Sequence, residues 1–160
     1  MQADVFVLDH DPAGGQLRRD IEGLLPVVGG DLEAGAEIVL VAVYGIFALS
    51  ATARSLVQVL RDFDRAPVAY SLSLLAAATY FAVTVALVRG GRRSRVARVL
   101  VVIELIGVLA VGTLTVLDPV LFPEATVWSV YGQGYGYVPL ALPVLALVYM
   151  LLGARKRPEA

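Results

Sequence analysis

Five arginines fall within ten residues between two long apolar runs, in the stretch Arg89-Gly90-Gly91-Arg92-Arg93-Ser94-Arg95-Val96-Ala97-Arg98. A basic patch for nucleic acid is disfavoured, since the flanking runs are too long and too apolar for a soluble domain. Cytoplasmic loops between membrane spans carry such an excess of basic residues. We therefore interpret residues 89–98, the arginine loop, as a solvated loop between two spans.

The composition of the chain points to lipid as its solvent. Of 160 residues, 58% are hydrophobic and 17% are charged, with a mean hydropathy of +0.76, whereas soluble domains carry about 25% charged residues. The chain has no cysteine and one histidine, His10, so disulfides, thiolate metal sites and histidine metal clusters are excluded. We expect no metal and no cofactor. The bias towards Ala, Val, Leu, Gly and Arg is typical of a GC-rich bacterial coding sequence.

Hydropathy predicts four membrane spans, and the expected fold is an all-α membrane protein, a four-transmembrane-helix bundle over residues 37–153. The spans are expected at about 37–59, 66–88, 96–117 and 138–152. Arg54 falls near the far end of the first span, where its guanidinium can reach the surface. Pro139 and Pro143 predict a bend near the start of the fourth span.

Residues 1–36 are predicted to form an acidic cytoplasmic tail, and residues 154–160 a short basic one. Gly14-Gly15, Pro26 and Gly29-Gly30 are expected to break up any long element in the first tail. A loosely ordered tail and a short interfacial helix both remain open. The interfacial helix rests on apolar residues at helical spacing, namely Leu17, Ile21, Leu24, Leu25 and Val28.

The distribution of basic residues predicts the topology. With four spans, both termini and the arginine loop share one side, which then holds ten of the thirteen Lys and Arg residues. Arg54, Arg61 and Arg65 fall on the other side. Because cytoplasmic loops are the basic ones, we expect a multi-pass protein of the bacterial plasma membrane with both termini cytoplasmic and residues 118–137 facing outward.

Glu104 is the acid predicted to lie inside a span. It follows Arg98 by six residues, or about 9 Å along a helix, and an ionised acid at such a depth must be paired or hydrated. One interpretation is a proton or cation site, or a contact to a partner. The other is an ion pair or hydrogen bond within the bundle, or a reach upward to an arginine of the adjoining loop. Glu37 lies at the same face of the membrane, so the two acids could converge.

The outward connection is rich in aromatic residues that favour a membrane–water boundary: Trp128, Tyr131, Tyr135 and Tyr137. We predict that they form an interfacial aromatic segment. The run Gly134-Tyr135-Gly136 also resembles a potassium-channel filter, but no Thr-Val pair precedes it and the loop is too short for a pore helix. The favoured interpretation is that these glycines let the chain turn tightly back into the membrane.

Two further sets of residues carry predictions about partners. Arg89, Arg92, Arg93, Arg95 and Arg98 are expected to contact anionic lipid head groups. Small residues at Ala78, Ala82 and Ala86, and at Gly107 and Gly112, are expected to let helices approach closely. The Asp9-His10-Asp11 cluster is interpreted as solvated and inert.

The C-terminal third carries a resemblance to a known family. Its run Thr126-Val127-Trp128-Ser129-Val130-Tyr131-Gly132-Gln133-Gly134-Tyr135-Gly136-Tyr137-Val138-Pro139-Leu140-Ala141-Leu142-Pro143-Val144-Leu145 resembles the C-terminal signature of small four-span integral membrane proteins of actinobacteria. That family has no established activity, so the resemblance implies the four-span architecture and no function.

Three functions remain open from the sequence. The first is a non-catalytic accessory, assembly or scaffold subunit that packs with itself or with a membrane-protein partner through its small-residue faces. The second is a small oligomeric transporter or ion pathway that uses Glu104. The third is an enzyme acting on lipid, which is disfavoured because no hydrolase, nucleotide-binding or metalloprotease motif is present. We therefore expect no enzyme and no catalytic residue.

Overall fold

The computed structural model describes residues 12–155, and over that range the chain is helical and contains no β-strand. Four α-helices follow one another, namely α1 (Pro12–Asp62), α2 (Pro67–Gly90), α3 (Arg95–Leu117) and α4 (Val138–Arg155). Short 3-10 turns connect them at Phe63–Arg65, Gly91–Arg93, Pro119–Leu121 and Ser129–Tyr135. The all-α class predicted from the sequence is confirmed.

Within residues 12–155, three helices are long and apolar enough to cross a membrane: α1, α2 and α3. The segments Ser129–Tyr135 and Val138–Leu152 satisfy the same criterion together, but they are bent by 100° against each other. By length and composition, three helices are therefore able to cross a membrane, or four if the bent pair forms one span.

Contacts divide the chain into two units, Met1–Ala36 and Glu37–Ala160. The described part of the first unit is helical, and its large apolar side chains are exposed. Arg18 Nε and Glu22 Oε1 form an exposed ion pair at 2.9 Å. The Asp9-His10-Asp11 cluster and most of the basic C-terminal tail lie outside the described residues.

The expectation that prolines and glycines break up the first unit is wrong, because α1 begins at Pro12 and includes Pro26 and both glycine pairs. Proline within a helix removes the hydrogen bond to the carbonyl of the residue four positions earlier, here Glu22. Glycine lowers helix stability by about 1 kcal/mol relative to alanine but still adopts helical geometry. These residues therefore weaken the helix without ending it.

In the second unit, α1 buries one face. The buried residues recur every three or four positions, as expected for a helix with one packed side; they are Leu40, Tyr44, Ala48, Ala51 and Ser55. The hydrophobic ones among them share a single core with residues of α2, α3 and α4. Apolar side chains on the opposite face, such as Ile46 and Leu49, are exposed.

The arginine loop forms the tight turn between α2 and α3. Gly91 has a positive φ of 55°, and a Cβ there would lie 2.8 Å from Glu37 Oε1. Ser94 then caps α3, because its Oγ accepts a hydrogen bond from Ala97 N at 3.1 Å. The predicted spans 66–88 and 96–117 agree with α2 and α3 to within two residues at each end.

The connection between α3 and α4 folds back into the core of the second unit. Val127 is buried, and the ring of Trp128 lies against Gly107 in the middle of α3. Gly136 and Tyr137 both have left-handed φ values, 62° and 61°, and they make the sharp turn that leads into α4. We call residues 126–137 the re-entrant segment.

α4 begins at Val138, where the sequence predicted the fourth span to start, and it includes Pro143. The side chains of Pro139 and Pro143 are fully buried. The pronounced bend lies before the helix rather than within it, since the 100° angle separates Ser129–Tyr135 from Val138–Leu152. The bend lies there because Gly136 and Tyr137, directly before α4, both have left-handed φ values.

Candidate functional site

The most polar part of the core centres on Glu104. This residue lies on the buried stripe of α3, which otherwise carries small and β-branched residues, and its exposure is 0%. Tyr44 of α1 donates a hydrogen bond from its hydroxyl to Glu104 Oε2 at 2.8 Å. Glu104 is nine positions after Arg95, the first residue of α3, so its Cα lies about 14 Å along the helix from that end.

Tyr80 and Trp128 complete this group, which we call the polar core cluster (Tyr44, Tyr80, Glu104 and Trp128). Trp128 Nε1 donates a hydrogen bond to the hydroxyl of Tyr80 at 2.9 Å. The rings of Tyr44 and Tyr80 are 6.3 Å apart between centroids, within the range of favourable aromatic pairs. The cluster therefore joins α1, α2, α3 and the re-entrant segment.

The cluster is closed to solvent but incompletely satisfied. Tyr44, Tyr80 and Glu104 are fully buried, and Trp128 is 2% exposed. Glu104 Oε1 has no hydrogen-bond partner among the described residues. An ionised carboxylate with one free oxygen and no neighbouring cation is costly in such an environment. The arrangement supports hydrogen bonding and proton binding at Glu104, whereas a bulky substrate has no access to it.

The partner of Glu104 is a residue that the sequence interpretation missed. The structure shows the hydrogen bond within the bundle that one interpretation expected, but the donor is Tyr44 and not an arginine of the loop. Glu37 lies elsewhere, near Gly91, and accepts a long hydrogen bond of 3.4 Å from the hydroxyl of Tyr149. The sequence did contain a signal for this partner. Tyr44 is the one hydroxyl-bearing aromatic residue in the apolar run of the first span, and it lies on the same helix face as Leu40 and Ala48.

Glycines of α3 make room for the re-entrant segment. A Cβ at Gly107 would lie 2.7 Å from Cζ3 of Trp128, and one at Gly112 would lie 2.5 Å from Cδ1 of Tyr131. Such distances are too short for any side chain, so both positions require glycine while these rings are in place. The face predicted at Gly107 and Gly112 for helix contacts is thus occupied by the chain's own aromatic residues.

The backbone of the re-entrant segment has positive φ at three consecutive residues and is strained at the two that are not glycine, Val130 and Tyr131. Val130, Tyr131 and Gly132 have φ values of 48°, 60° and 83°, and positive φ is unfavourable for a β-branched residue such as Val130. The strained turn is held by Thr115, whose Oγ1 accepts a hydrogen bond from Val130 N at 2.8 Å. Strain of this kind persists where the surrounding contacts overdetermine it.

The four residues of the predicted interfacial aromatic segment have different surroundings. Trp128 belongs to the polar core cluster, and Tyr131 is half-buried with its hydroxyl 3.1 Å from Thr113 Oγ1. Tyr135 accepts a hydrogen bond at 3.2 Å from Nη1 of Arg54. Tyr137 is exposed. The sequence grouped these residues by type, and the fold separates them by depth.

The arginine loop lies at the other end of the second unit from Arg54. Arg92 sits over the ring of Tyr149 with its Cζ 5.9 Å from the ring centroid. Arg89, Arg93 and Arg95 are exposed. Arg98 is half-buried, and its Nε has no partner among residues 12–155.

Comparisons with known proteins add no assignment to this site. No family model, curated protein or solved structure matches the chain. The resemblance to actinobacterial four-span proteins therefore stays a prediction. In the part of the chain that the structure describes, no group of three or more His, Cys, Asp or Glu residues is arranged to hold a metal ion.

Proposed function

We propose that this chain is an integral protein of the bacterial plasma membrane with four spans, both termini and the arginine loop being cytoplasmic. The spans are formed by α1, α2, α3 and the bent pair that ends in α4. The excess of basic residues on one side supports the orientation. The fold is consistent with it, because Glu37, Gly91 and Tyr149 meet at one end of the second unit while Arg54 meets Tyr135 at the other.

Its function is that of a non-catalytic accessory, assembly or scaffold subunit. The observation that carries this proposal is the closure of the polar core cluster. The chemically active groups at the centre of the unit are buried and bond to one another. A cluster of this kind fixes the packing of four elements, as hydrogen bonds between membrane helices do, and does not present reactive groups to a substrate.

A surface suited to protein contact lies between α1 and α2. It is a groove of about 540 Å³ with the small residues Gly45, Ala48, Thr52 and Ala53 among its lining. Phe81 also lines the groove, and 64% of its surface is exposed. Small residues let another helix approach closely within a membrane, and Phe81 offers a large side chain to that helix.

The proposal is tested by crosslinking in native membranes. Because the chain contains no cysteine, a single Thr52→Cys substitution places one thiol at the groove, and Leu114→Cys places one on an exposed face of α3. We expect a thiol-reactive bifunctional crosslinker to give a discrete product with a second copy or one other membrane protein from Thr52→Cys. The same product should be absent from Leu114→Cys. Monomer alone from both variants would contradict the proposal.

A second candidate, an ion or proton pathway through Glu104, is favoured by one observation. Glu104 Oε1 is buried without a partner among the described residues, and unpaired intramembrane acids mark proton and ion pathways in many membrane proteins. The discriminating variant is Glu104→Gln, which keeps the acceptor for Tyr44 and removes the titratable group. Loss of a proton flux in proteoliposomes would support the pathway, and unchanged behaviour would exclude it.

A further inference from the structure

A second cleft lies between the end of α2 and the start of α3, directly beside the arginine loop. Its volume is about 540 Å³. The α2 wall is largely apolar and includes Phe81, Ala82 and Ala86, while Leu100 lies on the α3 side. Arg89 and Ser94 line its basic end.

The shape of the cleft fits an elongated, narrow and apolar ligand. Phe81 and Arg89 are eight residues apart on α2, so the wall between them is about 12 Å long. The cleft is closed at its basic end, because Gly90 and Ser94 are in tight contact there; a Cβ at Gly90 would lie 2.8 Å from the Cβ of Ser94. A ligand in the cleft must therefore end at Arg89 and Ser94.

The charge at the closed end is complementary to an anion. No carboxylate lines the cleft among the described residues, whereas Arg93 and Arg95 of the same loop add positive charge nearby. An arginine guanidinium binds phosphate oxygens in a bidentate manner. Although Ser94 Oγ already accepts a hydrogen bond from Ala97 N, its hydroxyl proton remains able to donate to a phosphate.

We propose that this cleft binds one anionic phospholipid, with the phosphate on Arg89 and Ser94 and one acyl chain along Phe81, Ala82 and Ala86. The inference rests on the proposed membrane location. The sequence predicted that the arginine loop contacts anionic head groups in general. The proposal now assigns the phosphate of one lipid to a defined site at Arg89. The phospholipid would bridge α2 and α3 on the cytoplasmic side.

A helix from another protein is a poorer occupant of this cleft. A helix with its side chains is about 10 Å or more in diameter, and it would have to continue past the tight contact of Gly90 with Ser94. It would also bring no charge to Arg89 unless it carried an acid at that depth. A phospholipid satisfies both ends of the cleft, since its charged head terminates an apolar chain.

The test is native mass spectrometry of the purified full-length chain with equal amounts of phosphatidylglycerol and phosphatidylcholine that carry the same acyl chains. We expect one phosphatidylglycerol to be retained in preference to phosphatidylcholine. Arg89→Gln should lower the bound phosphatidylglycerol about fivefold, the effect of removing one arginine near an anionic surface. Ala86→Leu, which fills the cleft without changing its charge, should lower it as well.

Arg93→Gln is the matched control, because Arg93 belongs to the same loop but does not line the cleft. It should change the bound lipid less than Arg89→Gln does. Equal losses from the two variants, or equal retention of the two lipids by the wild type, would overturn the proposal. Fractionation of the same cells separates this outcome from failure of the membrane location: a chain found in the membrane without lipid preference refutes the lipid site alone.

Discussion

At the scale of single residues, the hydroxyl of Tyr44 has the largest expected influence on stability. Tyr44→Phe removes the donor to Glu104 Oε2 and leaves a buried carboxyl group with neither oxygen bonded in the described part of the chain. Side-chain hydrogen bonds between membrane helices contribute about 1 kcal/mol on average or somewhat less. We expect Tyr44→Phe to lower the free energy of unfolding by about this amount, measured by denaturant titration in detergent.

A double-mutant cycle provides the control for this prediction. In a Glu104→Met background the acceptor is absent, so Tyr44→Phe should have little further effect. An equal loss of stability in both backgrounds would mean that the Tyr44 hydroxyl acts through something other than Glu104, and the hydrogen bond would then not be what holds α1 to α3.

Gly107 sets a second residue-scale prediction, because it determines whether Trp128 can enter the core. With a Cβ only 2.7 Å from the Trp128 ring, Gly107→Ala should destabilise the protein by about 1–3 kcal/mol, as overpacking in a well-packed core does. It should also increase the solvent exposure of this single tryptophan, observed as a red shift of its fluorescence emission.

The matched substitution is Gly45→Ala, also a glycine within a helix of the second unit. A Cβ at Gly45 would meet its nearest neighbour, Thr84 Cγ2, at 3.9 Å, an ordinary contact. Replacing glycine by alanine in a helix then contributes up to about 1 kcal/mol of helix stability. If Gly45→Ala were as destabilising as Gly107→Ala, the contact with Trp128 could not be the specific cause of the loss at Gly107, because helix propensity favours alanine at both positions.

At the scale of elements, the sequence predicted the apolar helices well and the connection poorly. α2 and α3 follow directly from hydropathy, because each is one long apolar run flanked by polar turns. The start of α1 was not predictable in this way, since residues 12–36 combine helical spacing with strong helix-weakening residues. The sequence assigned Trp128 to a membrane–water interface from its residue type. Its contact with Gly107 in the core becomes visible only in the three-dimensional structure.

The re-entrant segment yields an element-scale prediction at Gly132. Gly132 has a φ of 83°, and a Cβ there would lie 2.6 Å from Cγ of Pro139. Gly132→Ala should therefore be destabilising both through backbone strain and through the clash with the start of α4. We expect a lower thermal unfolding midpoint and easier proteolysis between residues 126 and 137.

Gly134→Ala serves as the control within the same segment, because nothing lies within 4 Å of a Cβ at that position. It should leave both the unfolding midpoint and the proteolysis rate close to those of the wild type. Similar behaviour of the two variants would show that the segment is not seated against Pro139 as described.

At the scale of the whole molecule, the exposed surface and the buried core impose opposite requirements. Large apolar side chains on α1, α2 and α3 are exposed over most of their lengths, which an aqueous environment does not favour, while the one acid of α3 is buried. The proposed membrane location would resolve this conflict, because lipid would cover the apolar faces while the core shields Glu104 from lipid. The orientation proposed for that membrane rests on the basic residues of the arginine loop.

The absence of cysteine makes this orientation testable one residue at a time with a membrane-impermeant maleimide. We expect Val120→Cys, at a position that is 89% exposed, to be labelled on intact cells. Arg93→Cys and Asp20→Cys should be labelled only after permeabilisation. Ala160→Cys then distinguishes the number of spans, since four spans place it with Arg93 and three place it with Val120. Labelling of Arg93→Cys from outside would reverse the topology and remove the cytoplasmic assignment of the lipid cleft.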